Sequence, residues 1–128
     1  MNKLIIDAGN EKIFLMIISN ASIYNITHEN TKINYEKLTI IINDFLSSKS
    51  IKIVDINAIY INQGSGSFAG IRNSMSVVKA FNVAKKIDYY CYSLKDFKGE
   101  DDVRHENIPN LCNKFKIKKN LINPIYIS

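Results

Sequence analysis

Three strand-like segments crowd into the first 27 residues, separated by connections too short to hold a helix. Residues 3–7 (KLIID) and 12–18 (KIFLMII) are apolar on both faces, and residues 22–27 (SIYNIT) are β-branched and aromatic. Ala8-Gly9-Asn10-Glu11 and Ser19-Asn20 place turn formers between them. The spacing predicts an antiparallel three-stranded meander with the second segment inside the sheet.

The period then changes. Tyr35, Leu38, Ile41, Ile42, Phe45 and Leu46 fall on one helical arc, with Asn34 as the expected N-cap. Ile40 lies on the opposite side, where a solvent-facing residue would be polar. A strand is expected at 58–62 (AIYIN), a helix from about Phe68 to Lys86, and a strand at 89–93 (YYCYS). Two helical crossovers make the later strands parallel to the first. The order βββαβαβ is that of an α/β domain with a mixed sheet. Beyond Leu94 the signal fades; residues 114–119 (KFKIKK) alternate like an edge strand or an extended basic segment.

Composition sets the outer limits. A chain of 128 residues fits one compact domain, and 46% apolar with 23% charged residues excludes wholesale disorder. The longest apolar run, Ile13 to Ile18, is too short to span a bilayer, so no membrane is expected. Met1 leads directly into strand-like sequence without a signal-peptide pattern, which gives an expectation of a cytoplasmic protein. Cys91 and Cys112 are too few for a disulfide framework or a zinc site. The chain holds 23 Ile, 16 Asn and 15 Lys but two Arg, a bias that AT-rich coding favours. The net charge of +5 is therefore weak evidence for nucleic-acid binding.

The most informative segment joins a strand to a helix: Gln63-Gly64-Ser65-Gly66-Ser67-Phe68-Ala69-Gly70-Ile71-Arg72. Glycines leading to a helix N-terminus can cradle an anion. The spacing matches neither the dinucleotide fingerprint nor a P-loop. The plainer alternative is a tight turn in which Ser67 caps the helix and Gly70 lets it pack closely. The helix carries two apolar stripes: Gly70, Val77, Phe81 and Ala84 on one side, Phe68, Ile71, Met75 and Val78 on another. Arg72, Lys79 and Lys86 recur along one edge of the second. Two stripes imply burial on both sides, by a partner or by a neighbouring helix. Asp7 ends the first strand before a turn, where a lone Asp is either a turn capper or a weak nucleotide-site candidate. His28 and His105 sit among polar residues without ligand spacing and read as surface histidines.

The strand–loop–helix resembles the hallmark region of the TsaB (YeaZ) family, usually written Gly-Pro-Gly-Ser-Phe-Thr-Gly-Leu-Arg. Gly64, Gly66, Ser67, Phe68, Gly70 and Arg72 match it, while Ser65, Ala69 and Ile71 stand for the Pro, Thr and Leu. The opening KLIIDAGNEKIFLMII resembles the family's first hairpin with Asp7 kept, but Ala8-Gly9 replace the usual Thr-Ser pair. In the family helix that opens with His-Ser-Glu, Asn34 takes the His position, and Glu36 and Leu38 fit. The ending NPIYIS resembles a terminal Pro-x-Tyr-Leu-Arg, with Pro124 and Tyr126 kept and Ser128 in place of Arg. The match covers about residues 1–97 and, weakly, the last few.

The resemblance implies a single actin-like, ribonuclease-H-like domain over 1–97. It implies a non-catalytic role in making threonylcarbamoyladenosine at position 37 of tRNA, by docking on the transferase TsaD, with the ATPase TsaE joining and tRNA contacted indirectly. The expected contact residues are Ile40, Phe68, Ile71, Met75 and Val78, and no cofactor or metal is expected. Members of the family carry a second actin-like half; here only residues 98–128 follow, so they are expected to be a tail left by an internal deletion. A single half cannot close a nucleotide cleft, which argues against enzymatic activity. The alternatives are a small actin-like phosphotransferase or ATPase using Asp7 and the 64–70 loop, or a self-associating homodimer domain.

Overall fold

The structure is a computed structural model that describes residues 1–20, 22–64 and 69–122. The expected order holds. Strands β1 (Asn2–Asp7), β2 (Lys12–Ser19) and β3 (Ser22–Glu29) form the meander. Helices α1 (Lys32–Glu36) and α2 (Leu38–Ser48) lead to β4 (Ala58–Asn62), and α3 (Ala69–Lys85) leads to β5 (Asp88–Tyr92). A short helix, α4 (Ile108–Lys114), follows. The five strands lie in the order β3-β2-β1-β4-β5. β4 pairs parallel to β1 and β5 parallel to β4, as the helical crossovers between them require.

The helix expected from Tyr35 to Leu46 is two helices, broken at Lys37 (φ −99°, ψ 16°). Its N-cap is Thr31 rather than Asn34: the Thr31 hydroxyl accepts from the Asn34 amide, and the Asn34 side chain reaches back to the carbonyl of Glu29 at 2.9 Å. The arc itself is as expected, with Leu38, Ile42, Phe45 and Leu46 buried.

Strand alternation sorts the core into two layers. Leu4, Ile6, Leu15, Ile17, Ile59, Ile61, Tyr89 and Cys91 face α2 and α3. Ile5, Met16, Tyr60 and Tyr92 face the other way, where Phe97, Ile108, Leu111 and Cys112 cover them. The split at residue 97 is therefore not a packing boundary. Residues 98–114 are not an appendage; they form the layer that dries the second face of the sheet. A basic edge strand is not what residues 114–119 make either. Lys114 ends α4, and Lys119 forms an isolated bridge with Tyr90.

The two stripes on α3 also resolve differently. Gly70, Ile71, Ser74, Val78 and Phe81 are buried, with Met75 and Val77 half-buried beside them. At about 100° per residue, Ser74 sits midway between the stripes. Its hydroxyl donates to the Ile71 carbonyl at 2.9 Å, which lets a polar residue occupy the middle of an apolar face. Between Gly70 and Phe81 the stripes are the flanks of one buried face, whereas Ala84 is exposed. Ile71 and Val78 are core residues, packed inside the domain, and a docking protein has no access to Val78 at 0% exposure.

If α4 is part of the core, Leu111→Ala should destabilise the domain by roughly 2–4 kcal/mol, as for any large-to-small core change. Urea denaturation would measure it. An unshifted midpoint would mean that the tail is an appendage after all.

Candidate functional site

The C-terminal ends of parallel strands are where open α/β sheets place their sites. Here three loops meet beyond β1, β4 and β5. Gly9, Asn62, Gly64, Ile71, Ser93, Leu94 and Lys95 line a cavity of about 200 Å³ between them. Gly64 has φ +45°, the left-handed turn that a glycine allows, and its amide donates to Asn62 Oδ1 at 2.8 Å.

Asp7 lies at the end of β1, on the same face of the sheet as Ile5 and beside Asn62 of β4. It is 7% exposed. Its Oδ1 accepts from Asn62 Nδ2 at 2.9 Å and from the Gly9 amide at 3.0 Å. Its Oδ2 lies 2.9 Å from His105 Nε2. The His105 ring stacks on Phe14 of β2, with centroids 4.0 Å apart and planes at 26°. Burial on its own would raise the Asp7 pKa, but hydrogen bonds from His105, Asn62 and the Gly9 amide, with the charge of His105, outweigh it and hold the carboxyl below its usual 3.8. An ionised carboxylate only accepts, so Nε2 of His105 carries the hydrogen.

Asp7 thus does cap its turn, as one of the two sequence readings held. Its other partners leave no local signal in the sequence. His105 is 98 positions away and reads as a surface residue, yet it ties the tail to the end of β1. Local chemistry aims it. Asp102 accepts from Arg104 Nε and Nη2 at 2.8 and 2.9 Å, Asn107 Nδ2 donates to the Asp102 carbonyl at 2.8 Å, and Pro109 opens α4 where its missing N–H costs nothing.

Asn30 was also missed. Its Nδ2 donates to the carbonyls of Ala8 and Asn10, both at 2.8 Å, and so clamps the turn after Asp7. Gly70 of the hallmark loop packs against this clamp: a Cβ there would stand 2.5 Å from Asn30 Oδ1. Close approach is what Gly70 provides, but to a side chain at the end of β3 rather than to the sheet. Among the other candidates, Arg72 and Ile40 are exposed, and Met75 is half-buried. Gly66, Ser67 and Phe68, together with Ser65, Pro124, Tyr126 and Ser128, lie outside the described residues. No group of three His, Cys, Asp or Glu side chains able to hold a metal occurs among the described residues. The segments outside them contribute none of these residue types.

No protein-family model matches the sequence, and no curated protein matches it. Solved structures do. YeaZ from Pseudomonas aeruginosa superposes with a TM-score of 0.65 at 18% identity, over 72% of this chain and 43% of the YeaZ chain. RuvC from Thermus thermophilus, in complex with Holliday junction substrate, superposes with a TM-score of 0.55 at 11% identity, over 99% of this chain and 85% of RuvC. The fold is the ribonuclease-H-like, actin-like one. The chain spans less than half the length of the YeaZ it matches. The RuvC likeness, unlike the YeaZ one, runs through almost the whole chain. No helix among the described residues is long and apolar enough to cross a membrane.

The depressed Asp7 pKa fixes the sign of a pH effect. Its stabilisation is fully present above 3.8 and is lost as pH falls through the lower native value. At neutral pH, Asp7→Asn should cost about 1–3 kcal/mol, because its amide turns a donor towards His105. Urea midpoints measured from about pH 5 to about pH 2 should show the gap between wild type and variant closing at the acid end. A gap independent of pH would remove the ionised carboxylate from this account.

Proposed function

We propose that this chain is a TsaB-like partner subunit of the machinery that makes tRNA threonylcarbamoyladenosine, docking on TsaD and contributing surface rather than chemistry. The observation that carries the reading is the likeness to YeaZ, which supports a TsaB-like protein. TsaE would join through the assembly, and tRNA contact would be indirect. In support of a non-catalytic role, both Asp7 oxygens already have partners within the protein, and Asp7 has no second carboxylate beside it among its hydrogen-bonding partners. A phosphotransferase or ATPase built on Asp7 would have to break this set to reach Mg²⁺ or phosphate.

The docking surface has to be narrower than the sequence implied. With Ile71 and Val78 in the core, the helical layer offers Ile33 of α1 at 66% exposure and Ile40 of α2 at 60%, with half-buried Met75 of α3. Exposed isoleucines on neighbouring helices are what a heterodimer contact, or a homodimer of the isolated chain, would use.

Co-expression with TsaD from the same organism should yield a heterodimer that survives at micromolar concentration. Ile40→Glu should weaken it about tenfold or more while leaving the urea midpoint unchanged, because a carboxylate in a dry contact is costly and Ile40 is 60% exposed in the isolated chain. Absence of association at micromolar concentration defeats the reading.

A further inference from the structure

The face of the sheet opposite α1–α3 carries a second feature that the docking reading leaves unused. Between the N-terminal half of β1, the middle of β4 and β5, and α4 lies a groove of about 450 Å³, the size of a small-ligand site. Register explains its make-up. Ile5, Tyr60 and Tyr90 stand side by side on β1, β4 and β5, and Lys3 precedes Ile5 by two on the same face. The Tyr60 and Tyr90 rings stack, with centroids 4.9 Å apart and planes at 10°. Tyr60 is buried and Tyr90, on the edge strand, is half-buried. Lys3 and Lys116 line it, as do Asn110 and Asn113 of α4, and Asn110 Nδ2 also donates to Asn107 Oδ1 at 3.2 Å.

The charge is one-sided. Among the described residues, no carboxylate lines the groove. Asp88, on the same face of β5, is engaged: Asn120 Nδ2 donates to its Oδ1 at 2.9 Å and Lys119 Nζ lies 3.6 Å from its Oδ2. Burial pushes the Tyr60 phenol and the Cys112 thiol of the groove both up to about 12, so neither adds negative charge at neutral pH. Flat aromatic wall, paired cations and side-chain amides are together the complement of a planar ring that carries a phosphate.

We propose that this groove binds a nucleotide unit, its base laid against Tyr90 with Tyr60 behind it and its phosphate held by Lys3 and Lys116. The same chemistry is offered by a free nucleoside monophosphate and by one residue of a single-stranded RNA. The site lies on the other side of the sheet from Ile40, so it stands whether or not the chain docks on TsaD.

The test uses the full chain, with AMP, UMP, inorganic phosphate, and fluorescein-labelled single-stranded and duplex hexaribonucleotides as probes. Saturable binding of a monophosphate or of the single strand is expected. A gain from monophosphate to single strand identifies the strand as the source, and equal affinity identifies the free nucleotide. Tyr90→Leu keeps apolar bulk but removes the ring, and should weaken nucleotide binding at least about fivefold. Lys3→Gln with Lys116→Gln should lower the slope of log K against log salt for the single strand by roughly 0.7, one neutralised phosphate's worth. Lys79→Gln, on exposed α3, should change neither. Backbone amide shifts of residues 58–60 and 110–116 in wild type should move on adding nucleotide, which reads the site even if a variant folds poorly. No saturable binding at millimolar monophosphate and micromolar oligonucleotide overturns the proposal. So does phosphate binding as tight as nucleotide, or an equal loss in Lys79→Gln.

Discussion

A sheet whose inner strands are apolar on both faces must be covered on both faces. That constraint governs everything else in this chain. β1, β2 and β4 present Leu4, Ile6, Leu15, Ile17, Ile59 and Ile61 to one side and Ile5, Met16 and Tyr60 to the other. The crossover helices can cover one side only, because both crossovers run over the same face. Within this chain, the cover for the second face comes from the residues after β5. Phe97, Ile108, Leu111 and Cys112 provide it. The segment that reads as a charged, signal-poor tail is therefore as necessary to the core as either long helix.

The tail also decides the chemistry at the strand ends. Crossing the second face brings His105 over Phe14 and into contact with Asp7. A carboxylate at the end of the first strand is thereby turned from an open acidic group into a structural one, balanced by three donors. The cavity nearby is lined by Asn62, Gly64 and Ser93 rather than by a cluster of acids. The helical face offers exposed Ile33 and Ile40, and the opposite face offers a basic groove with stacked tyrosines.

Strand number, order of elements and direction of pairing were legible in the sequence, because alternation, turn residues and crossover length are local signals. The resemblance located the fold correctly as well. Three things were not legible. Ser74 broke a continuous apolar face into two apparent stripes, since periodicity treats a serine as polar and cannot see its hydroxyl satisfied by the Ile71 carbonyl. Thr31 displaced Asn34 as the cap because both residues are good caps and only the path of the chain from β3 distinguishes them. His105 and Asn30 gave no signal at all. Their roles depend on partners 98 and 22 positions away, and no local pattern encodes a contact of that range.

The central claim is that residues 94–117 belong to one cooperative unit with the sheet. Native-state hydrogen exchange tests it most directly. The amides of Leu111, Cys112 and Phe115 should exchange with the same opening free energy as those of Ile5 and Tyr60, and both sets should follow urea with the slope of global unfolding. Exchange of the α4 amides at a much lower free energy, with a slope near zero while β1 and β4 stay protected, would contradict it.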